Sequence, residues 1–259
     1  MTERIVVVGA GTGGIVLANN LAEDLATEID AGDVEVRLVN DGEDHVYKPT
    51  WLYVPFGEKT PADATRPLTD LVDDRIDLTI DRVDGIDTDD KTVSLAGAGV
   101  DESYDHLVLA MGAQVTPEET PGLAAGGHHF YGPEGAAALR DELAEFTEGH
   151  LVVSVVGVPH MCPVAPLEFA LMADAWFRDR GLREDVDITY TYPIGRAHGI
   201  ESVAEWAGPL MDDRDVDVET FFNAERVDPD EETIRAVEGR ELDYDLLVAI
   251  PPPAGSDLV

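Results

Sequence analysis

A single cysteine, Cys162, occurs in 259 residues. One thiol excludes an internal disulfide, a paired-cysteine redox centre and any cysteine-rich zinc or iron–sulfur site. Lysine is almost as scarce: Lys48, Lys59 and Lys91 are the three in the chain, and 17 basic side chains face 54 acidic ones for a net charge of −37. No basic patch interrupts the acidity, so the attraction that draws a protein to nucleic acid is replaced by repulsion. No apolar run reaches the roughly 20 residues of a membrane-spanning helix. The opening Met-Thr-Glu-Arg is not a basic leader, so no signal peptide is read and a cytoplasmic chain is expected.

What is present begins at Arg4. Apolar residues Ile5 to Val8 run straight into Gly9-Ala10-Gly11-Thr12-Gly13-Gly14, glycines spaced as G-x-G-x-x-G. The pattern predicts a buried strand, a tight turn and a helix. Gly9 permits the turn, Gly11 lets the backbone approach a pyrophosphate, and Gly14 lets helix pack on strand, while the helix N-terminus offers N–H donors to phosphate. A second strand, Val34 to Val39, follows at the distance a dinucleotide-binding β-α-β unit requires. At its end, where an acid for ribose hydroxyls is usual, stands Asn40-Asp41. Asn40 is able to bond a hydroxyl, and Asn40-Asp41-Gly42 also reads as plain turn chemistry.

Residues 46–57 gather Tyr47, Trp51, Tyr53 and Phe56 around Lys48-Pro49, in a chain with 7% aromatics. Such a segment suits a flat apolar ligand such as a flavin, with Lys48 a rare cation near its pyrophosphate or ring, or it suits ordinary core packing. Ile76 to Ile80 and Thr92 to Leu95 read as short strands of an antiparallel insertion. Tyr104 to Met111 reads as a returning buried strand ending in Ala110-Met111-Gly112, where glycine again permits close backbone approach. A connector from Pro117 to His129 places a boundary near residue 115. The expected domains are 1–114 and 115–259. The fold class is α/β: two Rossmann-like three-layer domains, each a parallel sheet with an antiparallel insertion. His45, His128, His129 and His150 lie in polar settings and read as solvated.

The second domain repeats the plan with one departure. Gly157-Val158-Pro159-His160-Met161-Cys162 stands where a second G-x-G-x-x-G would, and only Gly157 survives. Pro159 and Cys162 replace the glycines a second pyrophosphate needs, which disfavours a nicotinamide cofactor there. If Pro163 is the first residue of the following helix, Cys162 is its N-cap, where free N–H groups favour a reactive thiolate over a small inert hydrophobe. His160 is a candidate proton donor or acceptor for it.

These residues carry a resemblance. Val-Val-Gly-Ala-Gly-Thr-Gly-Gly-Ile, the Tyr-Lys-Pro segment, Ala-Met-Gly and above all Cys162-Pro163-Val164-Ala165-Pro166-Leu167-Glu168 resemble the sulfide:quinone oxidoreductase family, within the FAD-dependent pyridine nucleotide-disulfide oxidoreductases. The resemblance implies FAD held by Gly9, Gly11, Thr12, Gly13 and Gly14, with Asn40, Lys48, Pro49, Val83, Ala110 and Gly112 lining it. It implies sulfide or a small sulfur species as substrate at Cys162, quinone as electron acceptor, and leaves a homo-oligomer open. Family members are expected to continue past Val259 with further flavin contacts, a second active cysteine and helices through which a peripheral membrane attachment would form. The chain resembles the first two-thirds of such a protein. Its acid-rich, lysine-poor composition resembles cytoplasmic proteins of salt-accumulating halophiles, haloarchaea among them. The alternatives are an NADH-oxidising flavoprotein of type II NADH dehydrogenase kind and a non-catalytic nucleotide-binding fragment or subunit; neither alternative, nor the leading reading, calls for a metal.

The charge imbalance generates a first prediction. Self-repulsion dominates where screening is weak, so circular dichroism should show a lower melting temperature in dilute buffer than in molar KCl. Equal melting temperatures would remove the halophile reading.

Overall fold

The computed structural model describes residues 2–258. The chain divides into two compact units, one of residues 1–47, 64–114 and 255–259, the other of residues 48–63 and 115–254. Relative to the expected division, the aromatic segment that opens at Lys48 belongs with the second unit.

In the first unit, strand β1 (Glu3–Val8) passes through Gly9–Gly11 into helix α1 (Thr12–Asp24), and a short helix α2 (Ala26–Ala31) leads to β2 (Val34–Asn40). Gly14, Ile15, Ala18 and Ala22 form the buried stripe of α1, and they pack on Val7, Val36 and Leu38 of the sheet. Small β3 (Asp44–Val46) and β4 (Thr65–Pro67) pair antiparallel. Then come β5 (Asp77–Ile80), an antiparallel trio of β6 (Val83–Asp87), β7 (Thr92–Leu95) and β8 (Val100–Ser103), and β9 (His106–Leu109). The main sheet has the order β5-β2-β1-β9 and is parallel throughout. Segment 76–80, read from sequence as part of the insertion, is instead the parallel edge strand of this sheet, registered Arg37↔Asp77 to Asn40↔Ile80. The Arg37 guanidinium bonds Asp77 and Glu102, which explains how an Asp-flanked segment gains its place at the edge. Val39, Val8 and Leu109 share the last rung, so Gly9, Asn40 and Ala110 emerge side by side at the carboxyl end of the sheet.

The second unit repeats the plan. Helix α3 (Pro133–Glu145) precedes β10 (Gly149–Val155), helix α4 (Ala165–Arg180), β11 (Val186–Tyr192), helix α5 (Glu201–Asp212) and β12 (Val216–Thr220). An antiparallel trio, β13 (Ala224–Asp228), β14 (Thr233–Ala236) and β15 (Glu241–Asp243), leads to β16 (Leu246–Ile250). The parallel order is β12-β11-β10-β16. Gly181, with φ +70°, ends α4 in the left-handed conformation expected of a helix-terminating glycine. The aromatic segment contributes Trp51, Leu52, Val54 and Phe56 to buried packing, and Phe56 meets Phe169 of α4 at 5.1 Å between ring centroids. Tyr53 remains exposed, as does Tyr47 in the first unit.

Asp174 of α4 has a fully buried side chain and receives Arg178, Arg183 and Arg214, each nitrogen 2.8 Å from a carboxylate oxygen. Burial pushes this carboxyl up, and the hydrogen bonds and charges of the three arginines outweigh that, holding it below the usual carboxylate range. Its stabilising contribution is therefore complete above the unfolded value of about 3.9 and is lost as pH falls through the lower folded value. Asp174→Ala removes the shared partner of three arginines, of which Arg183 is 12% exposed and least able to turn to water, and should cost about 3 kcal/mol in urea unfolding at pH 7. The deficit relative to wild type should narrow below about pH 4. A constant deficit down to pH 2 would contradict the assignment.

Candidate functional site

The glycine turn of the first unit is built on contact. Gly9 has φ +100°, and a Cβ there would lie 2.7 Å from Ala110 O; a Cβ on Gly14 would lie 1.9 Å from Gly9 O. Both positions exclude a side chain, and Ala110 N donates to Val8 O, fixing the neighbouring strand end. A Cβ on Gly13 would meet nothing within 4 Å. Gly11 is the N-cap of α1 and no side chain caps that end, so the first-turn N–H groups of Thr12, Gly13 and Gly14 have no intrahelical acceptor. The result is an uncapped helix end whose backbone donors, beside the unobstructed Gly13, sit at the positive end of the helix and suit a diphosphate. Ala10 is clasped: its N–H donates to Asn40 Oδ1 at 2.8 Å, and its carbonyl lies 3.1 Å from His45 Nδ1. Asn40 Nδ2 donates to Gly42 O, so both polar ends of that amide are engaged by backbone. The Val83 side chain lies in the core beside Val8, Val39 and Leu95, and only its backbone is available to a ligand. Gly112, with φ +70°, follows the Ala110 turn.

Lys48 and Pro49 open a 3-10 helix (Lys48–Tyr53) in the second unit, and both are exposed. The first-unit glycines and these two residues thus belong to different compact units.

In the second unit the corresponding turn is different in kind. Nine residues, 156–164, separate β10 from α4, against three, 9–11, between β1 and α1. The N-cap of α4 is Val164, so Cys162 is not the capping residue predicted from Pro163; the proline in the first turn is Pro166. Cys162 instead holds φ +45° in the lengthened turn, exposed and free, with its carbonyl accepting from Ala165 N at 3.0 Å. Its backbone occupies the left-handed region that the third glycine of the fingerprint would have accepted without strain. A Cβ at Gly157 would meet nothing within 4 Å, so the close helix–strand approach of the first unit has no counterpart at this glycine.

Around this turn the second unit assembles the expected His160 with groups that sequence reasoning missed. Tyr131 Oη donates to Met161 O at 2.9 Å, and burial together with neighbouring Cys162 pushes its phenol well up. The Tyr131 ring stacks on Phe130, which stacks on Phe169. His160 is nearly buried, its Nε2 3.2 Å from Tyr192 Oη and its Nδ1 3.3 Å from Met161 O. Burial pushes its imidazole below the ordinary value; the Met161 carbonyl opposes this and His198 adds to it, so the neutral ring is favoured at neutral pH. His198, buried, stacks on Tyr192, and its Nδ1 accepts from Ile200 N. The alternation Tyr190-Thr191-Tyr192 puts both phenols on one face of β11, a signal the sequence did carry.

The four histidines read as solvated are half-buried. His45 holds the Ala10 carbonyl, and His150 Nε2 meets Thr189 Oγ1 at 2.8 Å. His128 bridges to Val248 through its backbone, and His129 packs against Gly135; burial pushes both imidazoles down. Each lies beside a backbone or strand edge that its polar neighbours in sequence do not reveal.

Residues 3–250 match the model of the family described as pyridine nucleotide-disulphide oxidoreductase. The chain belongs to that family. The mouse mitochondrial sulfide:quinone oxidoreductase is 25% identical over 267 residues, covering 99% of this chain and 58% of its own length. The Arabidopsis thaliana alternative NAD(P)H-ubiquinone oxidoreductase is 28% identical over 205 residues, 72% of this chain and 38% of its own. The crystal structure of the Aquifex aeolicus sulfide:quinone oxidoreductase superimposes with a TM-score of 0.84 at 22% identity, covering 99% of this chain and 60% of that one. That likeness shows the α/β fold of two Rossmann-like domains. The chain spans less than two thirds of the length of either sulfide:quinone oxidoreductase.

The glycine geometry separates two adjacent substitutions. Gly14→Ala forces a methyl into Gly9 O and should cost about 3 kcal/mol or more. Gly13→Ala meets no atom and should gain about 0.5–1 kcal/mol through helix propensity, yet weaken ADP binding by intruding on the uncapped helix end. Thermal melts and calorimetry with ADP check both; a well-folded Gly14→Ala protein would refute the contact.

Proposed function

We propose that the chain is the dinucleotide-binding portion of an FAD-dependent oxidoreductase that oxidises sulfide or a small sulfur species at Cys162, with quinone as the electron acceptor. The observation that carries this reading is the contrast between the two turns. The first keeps a cradle in which Gly9 and Gly14 admit no Cβ and whose helix end is uncapped, which fits the pyrophosphate of FAD. The second gives that cradle up and exposes a lone thiol instead. All three proteins above carry quinone or ubiquinone in their names, and two of them are named for sulfide.

FAD, when bound, accepts an electron pair from substrate and yields it to an acceptor. The chain's own residues do the rest. Thr12, Gly13 and Gly14 direct N–H groups at the diphosphate, and Ala110 and Gly112 let backbone come close to the cofactor. Cys162 presents its thiol to the sulfur substrate. Taking HS⁻ to the sulfane level releases one proton and two electrons, and His160, kept neutral by burial, is the base available to take the proton. An NADH-oxidising role is not favoured, because the nine-residue turn at 156–164 does not bring the α4 N-terminus directly onto the end of β10.

Calorimetry with ADP, FAD and NADH tests the cofactor assignment: ADP and FAD should bind, and NADH at least about tenfold more weakly. In FAD-loaded protein, sulfide should bleach the visible absorbance. Cys162→Ser should retain FAD and lose that bleaching. Bleaching at the wild-type rate in the serine variant would remove Cys162 from the chemistry, and tight NADH binding lost on mutation near Gly157 would favour the NADH-oxidising alternative.

A further inference from the structure

We infer that Asn40 and His45 are positioning residues for the dinucleotide, acting by clamping the Ala10 peptide groups rather than by touching the ribose. The inference rests on the reading of a dinucleotide at the glycine turn. Ala10 is 3% exposed, so its N–H and carbonyl are withdrawn from water and depend on protein partners. Asn40 Oδ1 takes the N–H at 2.8 Å and His45 Nδ1 meets the carbonyl at 3.1 Å. The two residues come from separate elements, the end of β2 and the short β3. Gly9 N donates to Val39 O at 2.8 Å, so each peptide leading into Gly11 is tied to the β2–β3 side of the unit. Gly11 caps α1, and the clamp therefore fixes where the free N–H groups of the helix point.

The clamp also accounts for the residue type. A carboxylate at position 40 would accept from Ala10 N–H equally well, but it would set a second oxygen against Gly42 O, where Asn40 Nδ2 donates at 2.8 Å. An amide satisfies both neighbours; an acid satisfies one. In a chain with 54 acidic residues, a neutral amide at the position where dinucleotide folds usually place an acid follows from this local requirement.

Titration calorimetry with ADP and 2′,3′-dideoxy-ADP distinguishes clamping from ribose contact. Asn40→Ala should weaken both ligands by the same factor, about tenfold, the worth of one hydrogen bond. His45→Phe, which keeps the ring and removes its polar atoms, should weaken both equally, by about threefold. Asn40→Asp should recover most of the loss because it restores the acceptor for Ala10 N–H. If Asn40→Ala lacks a cooperative melt, the same comparison is read from His45→Phe. Unchanged ADP affinity in folded Asn40→Ala, or in His45→Phe where the alanine variant does not fold, overturns the inference. A loss confined to ADP, with dideoxy-ADP unaffected, also overturns it and makes Asn40 a ribose ligand. Wild-type protein that binds neither nucleotide overturns the dinucleotide reading and the inference together.

Discussion

The contact between Gly14 and the carbonyl of Gly9 is the constraint from which the first unit follows. A helix can lie that close to the strand preceding it only if residue 14 carries no side chain, just as the close approach of Ala110 leaves no room for one on Gly9, and the closeness brings the uncapped end of α1 onto the carboxyl edge of the parallel sheet. The shared last rung of β2, β1 and β9 then collects Asn40, Gly9 and Ala110 at the same edge without any further device. A site for a diphosphate emerges from packing before any ligand-specific side chain is considered.

The second unit keeps the sheet order and abandons the contact. Its helix α4 is held by other means: Phe169 stacks on Phe130, and Asp174 gathers three arginines. With the helix anchored along its length, the turn that precedes it is free to lengthen and to carry Cys162 in a backbone conformation that glycine would normally take. The longer turn and the exposed thiol it carries are two aspects of a single change in the connection between strand and helix.

Much of this was legible in the sequence, for identifiable reasons. Strands β1, β2, β10 and β11 announce themselves as apolar runs, and Gly9, Gly14 and Gly181 mark their turns because few other residues tolerate those conformations. What escaped depends on residues far apart in the chain. Segment 76–80 joins the parallel sheet through Arg37, forty positions earlier, and nothing local marks its direction. Pro163 imitates a helix start, yet α4 begins at Ala165, with Tyr131 donating to Met161 from outside the turn. Asn40 sits where a ribose ligand was expected, and its engagement with Ala10 becomes visible only once β2 and the glycine turn are side by side. Helix α5 was missed altogether, its pattern interrupted by Gly208 and Pro209.

The arginine cluster on Asp174 has a consequence for how the molecule meets its ionic surroundings. Three of 17 basic side chains converge on one carboxylate that solvent does not reach. Mobile ions act at a distance set by the Debye length and enter little where water is excluded, so the Arg183–Asp174 pair, 12% and 0% exposed, is screened less than the acidic surface, while the exposed Arg178 and Arg214 carry the cluster out to solvent. The electrostatics of the chain are thus graded: an outer layer whose energy tracks ionic strength, and around Asp174 and Arg183 a less screened pair that ties α4, the start of β11 and the turn after α5 together.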